Sequence, residues 1–272
     1  SDGILYGTIA NPEHQVTHRY VNRGGDISKQ LTESSTLFAM DAQSGDLLWR
    51  YDADHSIRHN AIAIGKNAAY LIDRPLAEFD REKGKKGEQA LGVLVALDPR
   101  TGIVKWKQEK GIFGTLLAVS DEHRALLMAY QPTRFRLESE VGGRMAVHDT
   151  NTGERRWAKN INYQSRPLIK QETIYAQGGA WDLSTGKDRP FEFTRSYGCG
   201  ILAAGQNLMV FRSATLGYVD FKEEKTVHNF GGMRPGCWIN AIPAGGLVLV
   251  PDGSAGCECS YQNKTWMALQ SQ

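Results

Sequence analysis

One spacing recurs along the chain and restricts its fold more than any other feature: an aspartate, a glycine four residues later and a tryptophan four residues after that. It occurs as Asp41, Gly45 and Trp49, as Asp98, Gly102 and Trp106, and as Asp149, Gly153 and Trp157. Asp182 and Gly186 keep the first spacing, with Pro190 where the tryptophan would stand. A short apolar run precedes each complete copy, over residues 36–40, 93–97 and 144–148. The chemistry of the spacing is that of a β-hairpin. The aspartate carboxylate accepts backbone N–H bonds across the turn, and the glycine supplies the left-handed residue of a type I turn with a bulge. The tryptophan then lies on the returning strand, where its ring can bury roughly 150–250 Å² against a neighbouring repeat. Three unrelated hairpins would not share one Gly-to-Trp spacing, so the copies are read as internal repeats.

Two further apolar runs complete each repeat. Second strands are expected at 3–7, 68–72, 125–129, 173–176, 208–211 and 247–250, and first strands at 60–64, 114–119, 165–169, 200–204 and 238–242. The last two repeats lack the full motif and take 217–221 and 265–269 as third strands. Each repeat is then a four-stranded antiparallel meander. About six such units over 272 residues average about 45 residues each, the blade length of a β-propeller. The 29 glycines fit a chain of many turns. Lys and Arg number 32 against 30 Asp and Glu, too even a balance for the clustered basic field of a nucleic-acid binder. No apolar run approaches the roughly 18–20 residues that span a bilayer, and Ser1 opens without the charged and apolar regions of a signal peptide.

The segments FAMDAQSGDLLW, LVALDPRTGIVKW and MAVHDTNTGERRW resemble the tryptophan-docking repeats of PQQ-like, quinoprotein-type β-propellers. The later stretches SYGCGILAAGQNLMVFRS and GGMRPGCWINAIPAGGLVLVPDGSAGCECSY resemble bacterial extracytoplasmic members of that class. The expected fold is therefore an all-β propeller of four-stranded antiparallel blades, one domain over residues 1–272. The first element read is a second strand and the last a third, so the chain is expected to start and end mid-blade, as a piece of a larger seven- or eight-bladed propeller, with a six-bladed closure around one incomplete blade as the alternative.

In such a blade, the loop entering the first strand and the loop from second to third strand emerge together, opposite the Asp-Gly hairpin. The long insertions at about 10–35, 74–92, 131–143 and 251–264 fall on that side, where a rigid scaffold presents binding residues. All four cysteines map there too. Cys199 and Cys237 are each preceded by glycine at the entry to a first strand, and Cys257 and Cys259 share one long loop. Four cysteines allow three two-disulfide pairings, among which sequence does not choose. Their clustering points to a disulfide and an oxidising compartment, against the alternatives of buried thiols or a four-thiolate zinc site. Arg195, Arg212, Arg234, Trp238 and Asn240 surround them as ligand-binding candidates, because a guanidinium beside an aromatic ring suits a planar or carboxylate-bearing ligand. The competing reading is that the arginines brace adjacent blades.

No metal site is assigned. His14 and His18, like His55 and His59, are four apart, but at strand spacing such pairs stand about 13 Å apart. Asn263-Lys264-Thr265 matches a glycosylation acceptor. Phosphate-binding Gly-Lys-Ser/Thr and Gly-x-Ser-x-Gly motifs are absent. The expected function is a non-catalytic, extracytoplasmic binding or assembly scaffold, periplasmic or secreted, similar in repeat grammar to the propeller lipoproteins of outer-membrane assembly. Its protein or saccharide partner would sit on the long-loop face.

The resemblance also implies an alternative, a PQQ- and calcium-dependent dehydrogenase of alcohols or sugars. In that family the quinone lies between a tryptophan and a ring of two adjacent cysteines, with acidic and amide residues on calcium and an aspartate as base. Trp238 would stack and Arg234 would reach the quinone carboxylates. However, the chain has no Cys-Cys dipeptide, and its Cys257-Glu258-Cys259 would form a different ring. The calcium ligands and the base are not assigned.

Overall fold

Each Asp-Gly spacing closes the hairpin it predicts. In the computed structural model, Asp41, Asp98, Asp149 and Asp182 each accept backbone N–H bonds on Oδ1 from the residues two and three further on, at 2.8–3.3 Å. The glycines at Gly45, Gly102, Gly153 and Gly186 have φ between 69° and 79° and donate 2.9 Å bonds back to the aspartate carbonyls. The structure describes residues 2–11, 33–75, 92–130, 143–191, 193–196, 198, 200–223, 226–236, 241–251, 263 and 265–270. No helix among the described residues is long and apolar enough to cross a membrane.

The chain divides into two compact units, Ser1–Ile161 and Asn162–Gln272. The first holds β1 (Ile4–Ala10), β2 (Glu33–Asp41), β3 (Leu47–Ile64), β4 (Ala69–Arg74), β5 (Val93–Leu97) and β6 (Val104–Gln108), paired in that order as one six-stranded antiparallel sheet. It also holds β7 (Leu116–Ser120), β8 (Ala125–Ala129), β9 (Arg144–Asp149) and β10 (Arg155–Asn160), a four-stranded meander. The second unit has a four-stranded sheet of β11 (Leu168–Lys170), β12 (Thr173–Ala176), β13 (Gly179–Asp182) and β14 (Asp188–Arg189). A further four-stranded sheet is formed by β15 (Ala203–Ala204), β16 (Leu208–Ser213), β17 (Thr215–Asp220) and β18 (His228–Phe230), and a three-stranded one by β19 (Ile242–Ala244), β20 (Leu247–Val250) and β21 (Met267–Gln270).

The six sequence repeats occupy five sheets because β3 serves two of them. Its first half is the fourth strand of repeat 1, paired with β2, and its second half is the first strand of repeat 2, paired with β4. The buried Asp73 carboxylate fixes the bend between the halves, accepting the N–H groups of Asp54, His55 and Ser56 at 2.7–3.2 Å. In the fifth repeat β18 supplies a fourth strand, although its sequence carries neither the glycine nor the tryptophan of the motif.

The tryptophans lock neighbouring repeats. Trp49 lies over Gly102 of the next hairpin and donates its indole N–H to the Pro99 carbonyl at 2.9 Å. Trp106 repeats the arrangement on Gly153, donating to the Thr150 carbonyl at 3.0 Å. A small residue between aromatic partners makes room for each ring. Tyr6, Ala39 and Trp49 stand side by side on three strands, as do Tyr70, Ala96 and Trp106, with ring centroids 6.1 and 5.9 Å apart. In repeat 5 the ladder reads Val210, Tyr218, His228, and the last two rings stack at 5.3 Å.

A cation seven residues after the aspartate reinforces the third and fourth hairpins. Arg156 binds Asp149 Oδ2 at 2.7 Å and the carbonyls of His123 and Arg124. Arg189 binds Asp182 Oδ2 at 2.6 Å and Thr173 Oγ1 at 2.8 Å. Burial alone would raise the Asp182 carboxyl, but hydrogen bonds from Arg189 and Thr185 hold it down at about 2. A depressed carboxyl contributes stability that is complete above the ordinary value of 3.8 and is lost as pH falls through about 2. Because the pair is partly exposed, Asp182→Asn should cost only about 1–2 kcal/mol at pH 7. That difference should shrink below pH 4, as read by urea unfolding of both proteins across the acid range.

Candidate functional site

The candidate arginines gather at the end of repeat 5 opposite its Asp220 turn. There β16 passes into β17 through Ser213, Ala214 and Thr215, with Ala214 at φ 60°. Arg212 is 1% exposed at the end of β16, directly opposite Leu216. The Leu216 N–H donates to the Met233 carbonyl at 2.8 Å, which sets the neighbouring Arg234, 2% exposed, about two strand spacings away.

The segment before β15 lies across this end. The Ser196 N–H donates to Ser213 Oγ at 3.0 Å, and the two hydroxyls are 3.2 Å apart. Gly198 passes so close that an added Cβ would stand 2.4 Å from the Arg212 carbonyl oxygen, an approach only glycine permits. Arg195 donates to Gln177 Oε1 at 3.1 Å and to the Gly200 carbonyl at 3.2 Å. Gln177 in turn binds Ser165 Oγ through its backbone N–H and Gln164 through its side chain. Arg195, Arg212 and Arg234 are thus brought to the loop ends of repeats 4 and 5. Trp238, Asn240, Cys199, Cys237, Cys257 and Cys259 lie outside the described residues, as does most of the four long insertions.

Sequence reasoning missed a buried polar layer at the corresponding ends of repeats 1 and 2. Glu33 and Arg58, 0% and 5% exposed, pair at 3.5 Å, and Arg74 donates to the Gly114 carbonyl at 2.9 Å. At the exposed edge of this layer, His59 Nε2 lies 2.7 Å from Ser34 Oγ, and partial burial holds the ring below its ordinary pKa. Burial raises the Asp73 carboxyl against the backbone N–H bonds that lower it. Burial, with the charges of Asp73 and Asp54, pushes Tyr51 to about 12. The available signal was the pair Asp73-Arg74 directly ending the apolar run AAYLI.

A cavity of about 690 Å³ also opens in the second unit, between β15–β18 and β19–β21. Val210, Tyr218, Phe230, Pro243, Val248 and Leu269 give it an apolar lining. Its lining residue Tyr218 is paired across strands with His228, which holds the ladder place that repeats 1 and 2 give to Trp49 and Trp106.

Trp238 and the four cysteines, which the resemblance would place beside a quinone, lie outside the described residues. Among the described residues no three His, Cys, Asp or Glu side chains converge. The adjacent-cysteine ring has no counterpart, because Glu258 separates Cys257 from Cys259.

Antiparallel meanders joined by tryptophan-docked hairpins define a β-propeller of the PQQ-like repeat class. The model of the family described as outer membrane protein assembly factor BamB matches residues 10–223, and the chain belongs to that family. Among solved structures, the fold is shared with the WD40 domain of Neurospora crassa Pan2, at TM-score 0.51 and 11% identity over 90% of this chain and 78% of that one. The computationally designed Ika8 protein gives 0.51 and 15% over 81% and 64%. BamB from Moraxella catarrhalis gives 0.49 and 16% over 82% and 64%. The chain therefore spans about 64% of the length of these last two. The comparison with curated proteins gives no match.

Proposed function

We propose that this chain is a non-catalytic binding or assembly scaffold that acts outside the cytoplasm. The observation that carries the proposal is the family match over residues 10–223, whose description names an outer membrane assembly factor. The use of polar side chains at the loop ends supports it. Arg195, Asp73 and Arg74 each grip neighbouring backbone or amide groups, which stiffens a display surface. The partner is a protein held at the loop ends, with Arg195, Trp238 and Asn240 as its contacts and the buried Arg212 and Arg234 supporting the surface beneath them. The four cysteines stiffen the same loops through a disulfide in an oxidising compartment.

Cross-linking capture from an extracytoplasmic extract tests this, using the wild type, Trp238→Ala and the double variant Arg234→Ala/Trp238→Ala. The expected result is an outer-membrane assembly component bound by wild type and lost from both variants, with unchanged circular dichroism for Trp238→Ala. Capture that ignores both substitutions would remove these residues from the interface, and a saccharide as the retained ligand would change the partner class. Saturable one-to-one quenching of tryptophan fluorescence by PQQ with Ca²⁺ would overturn the non-catalytic reading and favour the dehydrogenase.

A further inference from the structure

The third hairpin differs from its siblings by one buried imidazole. Immediately before the motif aspartate, repeats 1, 2, 4 and 5 carry Met40, Leu97, Trp181 and Val219, whereas repeat 3 carries His148. His148 is 0% exposed. Its Nδ1 lies 3.0 Å from the Gly153 carbonyl oxygen. That oxygen can only accept, so Nδ1 carries the proton and Nε2 is the bare nitrogen of a neutral imidazole. Nε2 is buried and has no hydrogen-bond partner among the described residues.

Gly153 is also the seat of the Trp106 ring. A Cβ added there would stand 2.6 Å from Trp106 Cε3. Three residues earlier in the same turn, the Thr150 carbonyl accepts the Trp106 indole N–H at 3.0 Å and the Tyr70 hydroxyl at 3.4 Å. One short turn is thus held from its own sheet by His148 and from repeat 2 by Trp106 and Tyr70.

We propose that the 149–154 hairpin is an acid-sensitive latch, in which a proton on His148 Nε2 loosens the seat of Trp106 and frees the third repeat's hairpin from the second repeat. The proton comes from solvent and no bond breaks beyond hydrogen bonds. It turns a neutral ring at an apolar position into a buried cation with an unsatisfied N–H, a state the closed turn disfavours. The charged residues next to His148 in sequence and strand register are Arg155 and Arg156 on β10, Asp149 and Glu154 in the turn, and Arg124 before β8. From β8 itself the facing residue is the apolar Leu126. Burial is the largest influence and holds the ring in its neutral form. The Gly153 carbonyl opposes it, and the Arg155 charge adds to it. The folded ring therefore titrates below its ordinary value of 6.5, so the latch is fully closed above that pH and weakens as pH falls.

Hydrogen exchange across pH tests this on the full chain, corrected for intrinsic exchange rates, with the 98–103 hairpin as internal reference. That hairpin has the same turn and the same tryptophan seat but Leu97 in place of the histidine. Between pH 7.5 and 5.5, protection of the 149–154 amides should fall about tenfold more than that of the reference, the effect of one proton taken up over about one pH unit. His148→Leu should abolish the difference. Equal behaviour of the two hairpins in wild type overturns the proposal, and so does a difference that survives in His148→Leu. If the leucine variant does not fold, His148→Met, matching Met40, takes its place, and the comparison within wild type decides by itself.

Discussion

Replacing Trp49 by alanine is expected to lower the free energy of unfolding by about 3–5 kcal/mol, the range for large aromatic truncations in packed sites. Trp49 is 6% exposed and belongs to the core of Ile4, Leu37, Ile57, Leu71 and Val95. Its ring meets Tyr6 edge-on, covers Gly102 and donates to the Pro99 carbonyl. Truncation therefore opens a cavity and leaves a carbonyl without its donor. Trp49→Phe should recover most of the loss, with a residue of about 1 kcal/mol for the missing hydrogen bond. Urea denaturation followed by far-ultraviolet circular dichroism measures both. A loss below 1 kcal/mol for the alanine variant would mean that the dock does not hold repeat 1 to repeat 2.

The second large effect comes from the other side of the same contact. Gly45→Ala and Gly102→Ala impose the same backbone strain, since φ is 79° at Gly45 and 70° at Gly102. That common cost is about 1–2 kcal/mol. The surroundings differ. A Cβ at Gly45 meets nothing within 4 Å, whereas at Gly102 it would stand 2.7–2.9 Å from the Trp49 Cγ, Cδ2 and Cβ atoms. These atoms belong to the base of the side chain and cannot swing away, so displacing the ring should add about 2–3 kcal/mol. Gly102→Ala is thus expected to be the more damaging by that margin in the same denaturation series. Equal losses at the two sites would show that the tryptophan yields freely.

These expectations rest on the part of the fold that was legible in the sequence, namely the local turn chemistry. An aspartate accepting two N–H groups and a glycine at positive φ act within five residues, so spacing alone identifies them. The strands at 125–129, 173–176 and 247–250 fall where their apolar runs stand. The fusion of two repeats through β3 was not legible, because its bend depends on Asp73, a residue 19 positions beyond Asp54. Nor was the aromatic core of repeats 4 and 5. There Pro190 takes the tryptophan position, and Phe191 just after it fills the space against Tyr175, Phe193 and Phe221. Of the candidate site, Arg195, Arg212 and Arg234 lie at the loop ends of repeats 4 and 5, while Trp238, Asn240 and the four cysteines lie outside the described residues. The near-complete burial of Arg212 goes with the crossing segment of Ser196 and Gly198 packed against it, and no local pattern encodes that packing.

The shared strand β3 sets the grain at which this architecture can be taken apart. In an ordinary array each module ends before the next begins, so modules can be deleted, duplicated or exchanged one at a time. Here residues 47–64 run unbroken from the outer edge of one module into the inner edge of its neighbour. A junction at the bend cuts through Ile57, which pairs with both β2 and β4, and so disturbs both modules. For recombination, whether by evolution or by design, the first two modules behave as one indivisible cassette, and the first clean seam in the chain falls after β6.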